Sequence, residues 1–521
     1  MNDKKIKQYI PLDCPVEFFN NSAIFEVESS KIIELVRSLY QDKGLTFKLV
    51  TATDERKING CFKIWYIFGL PKENFFVVPY IRLKDTIEFP SLSSIIHEAW
   101  TYERKIKTFF GLIPVGHPNP RSIILHENWP NNIFPLRKDF DWKNRPELAA
   151  EHFQFKKVKG EGIYEIPVGP IHAGIIEPGH FRFSMAGEEI ILLEPRLGYT
   201  HKGSEKLFEL LSLDNQVHLS EKISGDSSFS HSLAYCQAIE KLGNIIISKK
   251  TEYLRVIYAE LERISNHFGD IGAIMLDAGF NFGGSQGAKF KEQIMQLNEK
   301  LTGNRFLRGV NKIGGVASDI NVNNKIYLME NLTKIFKDFS EVINIAENSV
   351  SLLNRLKGTG VVSVEVTKDR GFRGIISKAL GFVNDARIDY PYAAYDKILI
   401  DVPTETTGDV YARFLVRIKE VFVSQKIIEN ALLKLTKEPI ILPKKILLKS
   451  NSVAVSCVEG WRGEILYFIT TDNKSRINRV VPLDPSFINW SAISYAALGN
   501  MIPDFPLINK SFNLSYSGND L

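Results

Sequence analysis

The fold is set by a polar turn that leads into an apolar helix, where residues 221–236 read EKISGDSSFSHSLAYC. Gly225 interrupts any preceding element, and residues 226–228 (Asp-Ser-Ser) are of the types that cap the free N–H groups of a helix start. Apolar residues then recur at three- and four-residue spacing to Leu242, and Gly243 stands where a left-handed cap would fall. The stretch therefore predicts a polar loop and a helix that ends near Leu242.

Two serines, Ser224 and Ser227, flank this helix start. A helix N-terminus favours negative charge, so a thiolate at either position would be stabilised and ready to bind a soft metal. Both side chains are hydroxyls instead. A second polar stretch lies near the end of the chain, where residues 513–518 read NLSYSG. Both stretches resemble metal-binding loops in which the metal-ligating side chains are absent.

With cysteine in place of Ser224 and Ser227, the first stretch resembles the first Cys-x-x-Cys motif of the large subunits of membrane-bound, complex-I-like nickel-iron hydrogenases. With cysteine in place of Ser515 and Gly518, the tail resembles the second motif, and the four thiolates hold nickel in that family. A seryl hydroxyl is a neutral, hard and weak ligand, and glycine has no side chain. The resemblance therefore implies a chain that binds no metal and is not an active nickel-iron hydrogenase.

The same family includes the quinone-site subunit of respiratory complex I, which also lacks these cysteines. A tyrosine of its first loop is thought to meet the quinone headgroup. Matching the family through residues 229–235 (FSHSLAY) places Gly225 at the tyrosine position and Lys222 at the nearby basic position. The chain thus most resembles hydrogenase-4-like complexes that keep the architecture without the nickel ligands, and a quinone remains one possible ligand of the cavity.

The composition is that of a globular protein with enough length for at least two hydrophobic cores: 521 residues, 44% hydrophobic and 24% charged. The 65 basic and 60 acidic residues leave a net charge of +5, which gives little support for nucleic acid as a partner. Four scattered cysteines in no paired motif favour a reducing compartment and argue against a disulfide frame or structural zinc. They are Cys14, Cys61, Cys236 and Cys457.

The sequence predicts neither a signal peptide nor a membrane-spanning segment. No apolar run follows the charged residues 1–7. No apolar stretch approaches the roughly 20 residues that cross a bilayer. We therefore expect any membrane association to come through partner subunits.

The predicted fold class is α+β, beginning with an α/β-sheet docking domain over residues 1–142. Helical spacing covers residues 31–40, and residues 62–68 and 75–81 are β-branched or aromatic runs typical of strands. Residues 100–142 resemble the smaller complex I subunit that pairs with the large one. The resemblance rests on WTYER at 100–104, HENWP at 126–130 and PLRKDF at 135–140.

Residues 143–160 are charged and weakly patterned, as in an interdomain linker, and residues 161–521 form the predicted large domain. It is expected to be a mainly helical bundle with small β-hairpins, similar to nickel-iron hydrogenase large subunits. Charges of alternating sign from Glu252 to Arg263 are typical of a solvated helix face, and Gly272 lets helices approach closely. Helices are predicted from residue 251 to 268 and over 290–301, 326–356 and 408–434, and hairpins over 181–193 and 464–481.

A glycine- and proline-rich loop opens the large domain, with His172 and His180 in residues 166–183. Composition leaves each histidine open as a hydrogen-bonding residue or as part of a cavity lining. The loop resembles the family's Gly-Pro-x-His opening loop, which reaches the quinone cavity in complex I relatives. The resemblance makes His172, His180, Lys222 and Gly225 the candidate cavity residues.

The next signature, EPRLGYTHKGSEKL at residues 194–207, packs near the terminal iron-sulfur cluster of a neighbouring subunit in the family. Arg196, His201 and Lys202 are therefore candidates for tuning that cluster electrostatically. The alternative is that they cap helices and form ion pairs at an interface.

Three further motifs of the family lie between the long helices, including GFRG at 371–374. Asp385 with Arg387, and Asp409 with Arg413, are predicted as buried ion pairs that either hold helices in register or contribute to a proton path. Residues that act as catalysts are not identified. No dinucleotide fingerprint and no phosphate loop occurs, so direct NAD binding is not predicted.

The resemblance implies a peripheral subunit on the cytoplasmic side of the bacterial inner membrane, in an NADH:quinone oxidoreductase-like or hydrogenase-related complex. The implied partners are a small iron-sulfur subunit, antiporter-like membrane subunits and anchor subunits. In one hypothesis the chain passes electrons from the partner's cluster to a quinone-like or other acceptor and drives ion transport. In the other it is a redox-silent connector for the antiporter-like subunits.

Overall fold

The computed structural model describes residues 6–11, 14–151 and 153–521, and it confirms the α+β class. The strands are β1 (Val16–Phe19), β2 (Ser22–Glu26), β3 (Thr46–Glu55), β4 (Cys61–Leu70), β5 (Phe75–Leu83), β6 (Glu88–Pro90), β7 (Ile113–Val115), β8 (Ile163–Val168), β9 (His180–Ala186), β10 (Glu189–Arg196), β11 (Asn311–Lys312), β12 (Gly315–Val316), β13 (Val453–Gly460), β14 (Gly463–Thr471) and β15 (Ile477–Leu483).

The α-helices are α1 (Ile32–Arg37), α2 (Arg56–Asn59), α3 (Ala99–Phe110), α4 (Ser204–Phe208), α5 (Leu213–Ser220), α6 (Ser228–Leu242), α7 (Lys249–Asp277), α8 (Asn281–Thr302), α9 (Val322–Glu347), α10 (Val350–Leu356), α11 (Val364–Arg370), α12 (Ile375–Lys378), α13 (Ala386–Asp389), α14 (Val410–Leu433), α15 (Ser486–Ala496), α16 (Phe505–Phe512) and α17 (Tyr516–Asp520). Short 3₁₀ turns cover Ser29–Lys31, Tyr395–Lys397 and Ile502–Asp504, and a π turn covers Ser38–Asp42.

The N-terminal part is a five-stranded mixed sheet in the order β1-β2-β5-β4-β3, with α3 packed on β3. The pair β2 and β5 is parallel and the other pairs are antiparallel. The strands predicted at 62–68 and 75–81 are confirmed as β4 and β5. The helical spacing at 31–40 produces α1 and the turn that follows it, which ends before Gly44.

The large part combines a helical layer with two antiparallel three-stranded sheets, β8-β9-β10 and β13-β14-β15. Both predicted hairpins are confirmed, but each gains a third strand, β8 or β13, that the sequence pattern did not predict. Helix α7 packs against α8 and α14, and Gly272 allows the approach, since a Cβ there would lie 2.9 Å from the Cα of Gly287. Helix α6 packs on β13 and β14, which places its N-terminus beside this sheet.

Two helix predictions are corrected by local capping. The single helix expected over 326–356 is broken between α9 and α10, where the Ser349 side chain accepts a hydrogen bond from the Leu352 N–H and starts a new helix. Gly243 ends α6 without a left-handed backbone, with φ of −91°, and Asn244 has the positive φ instead. Asparagine tolerates that conformation, so the reversal falls one residue later.

Ionic contacts join the N-terminal sheet to the large part. Lys48 Nζ lies 2.5 Å from Glu464 Oε2, and Arg373 donates to Glu464 at 2.9 Å and to Glu98 at 2.5 Å. These four residues, here called the interdomain network, are nearly excluded from solvent. The apolar side chains around them form one continuous cluster that runs through both predicted domains, rather than the separate cores expected from the length. The domain boundaries themselves remain predictions.

Candidate functional site

The two degenerate loops meet in the folded chain. Ser224 Oγ lies 2.9 Å from Ser515 Oγ, and the Gly518 N–H donates to Ser515 Oγ over 2.9 Å. Ser224 precedes the N-terminus of α6, and Ser515 is the residue before α17. Ser224, Ser227 and Ser515 are all buried. The two loops therefore lie in contact, as the resemblance to a four-thiolate site implies.

Arg462, at the β13–β14 turn, ties both loops together. Its guanidinium donates twice to the Asp226 carboxylate, at 2.6 Å each, and once to the carbonyl oxygen of Asn513, at 2.5 Å. The guanidinium also lies 3.8 Å from the centroid of the Trp461 ring. Burial raises the pKa of Asp226, but the charge of Arg462 outweighs it and brings the pKa to about 2. The sequence pattern gave no reason to select Arg462, because its partners lie far away in the chain.

Asp484 fills the space beside Gly518 that a cysteine side chain would need. A Cβ on Gly518 would lie 2.7 Å from Asp484 Cγ. The carboxylate is held there by His231 Nε2 at 3.0 Å and by the Ser486 N–H at 2.8 Å. His231 in turn lies 3.2 Å from the Tyr467 hydroxyl. A thiol at residue 518 therefore requires this buried pair to move.

The residues around the loops do not fit a nickel-iron centre. Three hydroxyls and a glycine stand where soft anionic sulfur is needed, and Asp484 occupies the fourth ligand position. Within the described residues no group of three or more His, Cys, Asp or Glu side chains is arranged to hold a metal ion. The two loops instead satisfy one another through hydrogen bonds.

The start of α6 is capped from another helix rather than by its own loop, which corrects the sequence prediction. Glu262 of α7 accepts from the N–H groups of Phe229 at 2.6 Å and Ser230 at 3.0 Å. The side chains expected to do this are engaged elsewhere: Asp226 pairs with Arg462, and Ser228 donates to the Gly225 carbonyl. Burial raises the pKa of Glu262 to about 7.

The predicted cavity histidines are bonded within their own loop. His172 Nε2 lies 2.7 Å from the Gly179 carbonyl oxygen, and His180 Nδ1 lies 3.3 Å from that of Gly169. His180 Nε2 is buried without a hydrogen-bond partner among the described atoms. The loop reaches the degenerate site, because Glu177 accepts from the Ser517 N–H over 3.0 Å.

The remaining predicted cavity residues are solvent-exposed. Lys222 and Gly225 lie on the outer side of the first loop. Arg308 donates to the Gly225 carbonyl oxygen at 3.2 Å, and Lys202 donates to that of Lys222 at 2.8 Å. The structure thus places the four predicted cavity residues in two loops that contact the tail, with His172 and His180 in one loop and Lys222 and Gly225 in the other.

The three predicted cluster-facing residues all have partners inside the chain. Arg196 pairs with Glu127, His201 Nδ1 lies 2.7 Å from the Asp520 carbonyl oxygen, and Lys202 reaches the first loop. Burial lowers the pKa of both His201 and Lys202. These contacts match the capping and interface alternative, and an influence on a partner's cluster stays a prediction.

Of the two predicted ion pairs, one is confirmed and one is wrong. Arg387 donates to Asp385 at 2.7 Å, with both side chains buried. Asp409 instead caps α14, accepting from the Ala412 N–H at 2.8 Å, and it also accepts from the Gly358 N–H. Arg413 donates to Ser511 and to two carbonyl oxygens. Asp409 also accepts from the Thr407 hydroxyl at 2.8 Å, so the helix start and nearby loop residues supply the partners of its carboxylate.

A buried charge cluster that sequence reasoning missed surrounds the confirmed pair. Arg263, assigned above to a solvated face, is 2% exposed and contacts Glu260 at 3.1 Å. Arg255 and Glu262 on the same helix are buried too, since other elements cover α7 on every side. The cluster consists of Glu260, Arg263, His267, Lys378, Asp385, Arg387, Glu420 and Glu459.

Two family sequence models match the chain, one in each part. The family described as "Respiratory-chain NADH dehydrogenase, 30 Kd subunit" matches residues 25–146. The family described as "Respiratory-chain NADH dehydrogenase, 49 Kd subunit" matches residues 285–456 and 447–520. The order of the two agrees with the sequence prediction of a small-subunit-like domain followed by a large-subunit-like one.

Curated relatives cover nearly the whole chain. Formate hydrogenlyase subunit 5 of Escherichia coli is 30% identical over 501 residues, 95% of this chain and 88% of that protein. Hydrogenase-4 component G of the same organism is 31% identical over 95% of this chain and 87% of its own. The C/D subunit of the NADH-quinone oxidoreductase of Bacteroides thetaiotaomicron is 31% identical over 73% of this chain and 76% of its own.

Proposed function

Because the chain belongs to the complex-I-like family of fused 30-kDa and 49-kDa subunits, with formate hydrogenlyase and hydrogenase-4 subunits among its relatives, we propose that it is a peripheral subunit of such an oxidoreductase. It passes electrons from the iron-sulfur cluster of a small partner subunit to a quinone-like or other acceptor, and this transfer is coupled to ion translocation. The chain itself binds no nickel-iron centre.

The observation that carries this proposal is the meeting of the two loops. Ser224 and Ser515 lie in contact, with the histidine loop joined to them through Glu177 and Ser517. A family member that had lost its redox site by drift would have no need to keep these segments together. The retained architecture supports a site that still works at this place with different chemistry.

The local packing supports the proposed absence of nickel. Asp484, held by His231, stands against Gly518, and the hydroxyls of Ser224, Ser227 and Ser515 are poor ligands for nickel. Electrons therefore have to end on a bound acceptor, and a quinone is one candidate. His180 Nε2, buried without a partner, is available to donate to or accept from an acceptor near the histidine loop.

The proposed location is the cytoplasmic face of the bacterial inner membrane, reached through antiporter-like and anchor subunits. Within the described part of the chain no helix is both long and apolar enough to cross a bilayer. Two exposed isoleucines of the histidine loop, Ile171 (87% exposed) and Ile175 (98% exposed), give this side of the molecule an apolar contact for a partner.

A second candidate function is a redox-silent connector that holds the antiporter-like subunits or transmits motion to them. The observation that favours it is that three charged groups at the loops, Arg462, Asp226 and Asp484, all have partners in the chain. A site whose charged groups are paired within the chain is compatible with a mechanical role as well as with a redox role.

Purification of the native assembly separates the two functions. The redox function requires a small subunit whose cluster is reducible in the assembly, no stoichiometric nickel by elemental analysis, and turnover that falls in His172→Gln or His180→Gln. His97→Gln, on an exposed contact to Asp369, is the matched control. Unchanged turnover in both test variants, with the assembly intact, favours the connector, and stoichiometric nickel refutes the proposal.

A further inference from the structure

The buried charge cluster connects a solvent cleft to the interior beside the degenerate loops. The cleft, about 460 Å³ in volume, opens between the N-terminal sheet and the large part, and Glu459 and Asp385 form part of its inner wall. Lys48 and Glu98 line it on the N-terminal side. It gives water access to one end of an otherwise dry group of charges.

From Glu459 the hydrogen-bonded groups run inward without a gap. Lys378 Nζ lies 3.2 Å from Glu459 Oε1 and 2.7 Å from Glu420 Oε1, and Glu420 Oε2 lies 2.6 Å from His267 Nε2. All four side chains are 2% exposed or less. The path therefore joins the cleft to His267 through contacts short enough for proton transfer.

The inner end of this path lies next to the first loop. The His267 ring packs edge-on against Trp461, with centroids 6.2 Å apart. Trp461 Nε1 donates to the Asp226 carbonyl oxygen at 3.2 Å. His267 Nδ1 is fully buried and has no hydrogen-bond partner among the described atoms. A buried imidazole nitrogen without a partner is uncommon, and a proton held on Nδ1 leaves the Nε2 lone pair free to accept another proton from Glu420.

The charges of the cluster balance only when it holds one such proton. Its four carboxyl groups belong to Glu260, Asp385, Glu420 and Glu459, and its three permanent cations are Arg263, Lys378 and Arg387. With every carboxyl ionised, the group carries one excess negative charge in a dry interior, which is unfavourable. Protonation of either Glu459 or His267 restores neutrality.

The ion pairs that neighbour the cluster leave this charge balance unchanged. Arg417 pairs with Asp270, and in the interdomain network two cations face two carboxylates. The Tyr395 hydroxyl donates to Glu260 at 2.5 Å, and the Tyr392 hydroxyl accepts from the Glu459 N–H. Asp389, also on the cleft, lies outside the path but accepts from the Asp385 N–H at 3.4 Å, so its charge adds to the negative charge at the cleft end. Burial raises the pKa of Glu459 to about 7 and lowers that of His267, which favours the state with the proton on Glu459.

We propose that Glu459, Lys378, Glu420 and His267 form a proton relay that carries one exchangeable proton between the cleft and the interior beside Trp461. In one state Glu459 is a carboxylic acid and His267 a neutral imidazole with its proton on Nδ1. In the other Glu459 is a carboxylate and His267 an imidazolium, whose added proton on Nε2 came from Glu420. Lys378 and Glu420 each accept and release a proton in the transfer and keep their own charge. The relay stands on these contacts alone, and its use by a redox site rests on the proposed function.

Hydrogen exchange at the His267 imidazole in the purified full-length chain tests the relay directly. Labelling histidine with ¹⁵N allows proton exchange at the buried Nε2 to be followed after transfer to D₂O, with His267→Asn used to assign the signal. In Glu459→Gln the amide cannot pass a proton onward, so exchange slows on the order of 100-fold, the lower end of what a positioned acid contributes. Lys378→Arg gives the same slowing, because guanidinium keeps the charge and does not release its proton.

The matched control is Glu103→Gln. Burial raises the pKa of Glu103 to about 7, as for Glu459, but its carboxylate is bonded to Ser91, Ser93 and the Leu92 N–H, away from the cluster. The Glu103→Gln variant is expected to leave the His267 exchange rate unchanged. Backbone amide exchange along α7 reports local unfolding and is unchanged in every variant.

An equal His267 exchange rate in Glu459→Gln and Glu103→Gln overturns the relay. A rate that changes only in proportion to the α7 amides also overturns it, because opening of the helix then explains the exchange. Neither readout involves turnover, so a failure here leaves the proposed electron transfer standing, and a failure of electron transfer leaves the exchange result standing.

Discussion

The hydroxyl oxygens of Ser224 and Ser515 lie 2.9 Å apart, although the two residues are separated by 291 positions in the chain. This contact brings a helix start of the large part together with residues near the end of the chain. The resemblance to nickel-iron hydrogenase large subunits implies four thiolates and a metal at this place in that family. In this chain a hydrogen bond joins the two loops.

Adding a methyl group at Gly518 is expected to destabilise the fold. A Cβ there meets the Asp484 carboxylate at 2.7 Å, and the carboxylate is fixed by His231. Gly518→Ala should lower the free energy of unfolding by about 1–3 kcal/mol, as overpacking in a core does. Gly225→Ala is the control, because its nearest neighbour is a flexible arginine end at 3.4 Å. Equal denaturation midpoints for both variants would show that the space beside Gly518 is free.

Glu262 should make the protein less stable as the pH rises toward neutral. Burial raises its folded pKa to about 7 from 4.5, so between those values the folded state binds the proton more strongly than the unfolded state. Stability from this group is complete below pH 4.5 and is lost as the pH rises to about 7, on the order of 3 kcal/mol in total. Glu262→Gln should remove the part of the pH dependence of the unfolding free energy that this one proton causes between pH 4.5 and about 7. A slope identical to that of the wild type contradicts the assignment.

Asp520 is expected to hold the loop before α4 in place. Its carboxylate accepts from the N–H groups of Gly198 and Thr200 at 2.9 Å each, and from the Thr200 hydroxyl at 2.6 Å. Asp520→Ala leaves buried donors unpaired and should cost about 1–3 kcal/mol. Hydrogen-exchange mass spectrometry should show faster exchange over residues 198–204. Asp401→Ala, at an exposed position, serves as the reference and leaves this segment unchanged.

Asp409 should tolerate asparagine, because it acts as a helix cap and not as the partner of Arg413. An asparagine oxygen caps a helix about as well as aspartate, and only the hydrogen bond from the Gly358 N–H is lost, so Asp409→Asn should cost about 1 kcal/mol. Asp409→Ala removes the cap as well and should cost about 2–3 kcal/mol. If the asparagine variant proves as unstable as the alanine variant, charge rather than capping holds α14.

Local patterns predicted the elements well and their burial poorly. The spacing after residue 251 identified α7, but the alternating charges of Arg255, Glu262 and Arg263 suggested solvent where the structure has other helices. Periodicity shows that side chains share a face; it does not show what covers that face. Asp409 carried a usable local signal, since aspartate directly before a helical pattern is a common cap.

The site was predictable where a motif marks a loop and unpredictable where a partner is distant. The resemblance to two Cys-x-x-Cys loops implied that Ser224 and Ser515 meet, and they do. Nothing in the pattern linked Arg462 to Asp226 or Asp484 to Gly518, because such contacts depend on how β13–β15 pack against α6. Long-range ion pairs leave no periodic trace in a sequence.

The interdomain network determines what happens when the polypeptide is cut. Lys48 and Glu98 in the first part pair with Glu464 and Arg373 in the second. Separating the parts would break both ion pairs and leave these charges at a largely apolar face. A protease that cleaves between residues 143 and 160 should therefore give two bands under denaturing conditions and one particle in solution. The peptide link ensures that the two parts are made in equal number. The buried ionic contacts, which salt screens only weakly, hold the parts together after cleavage.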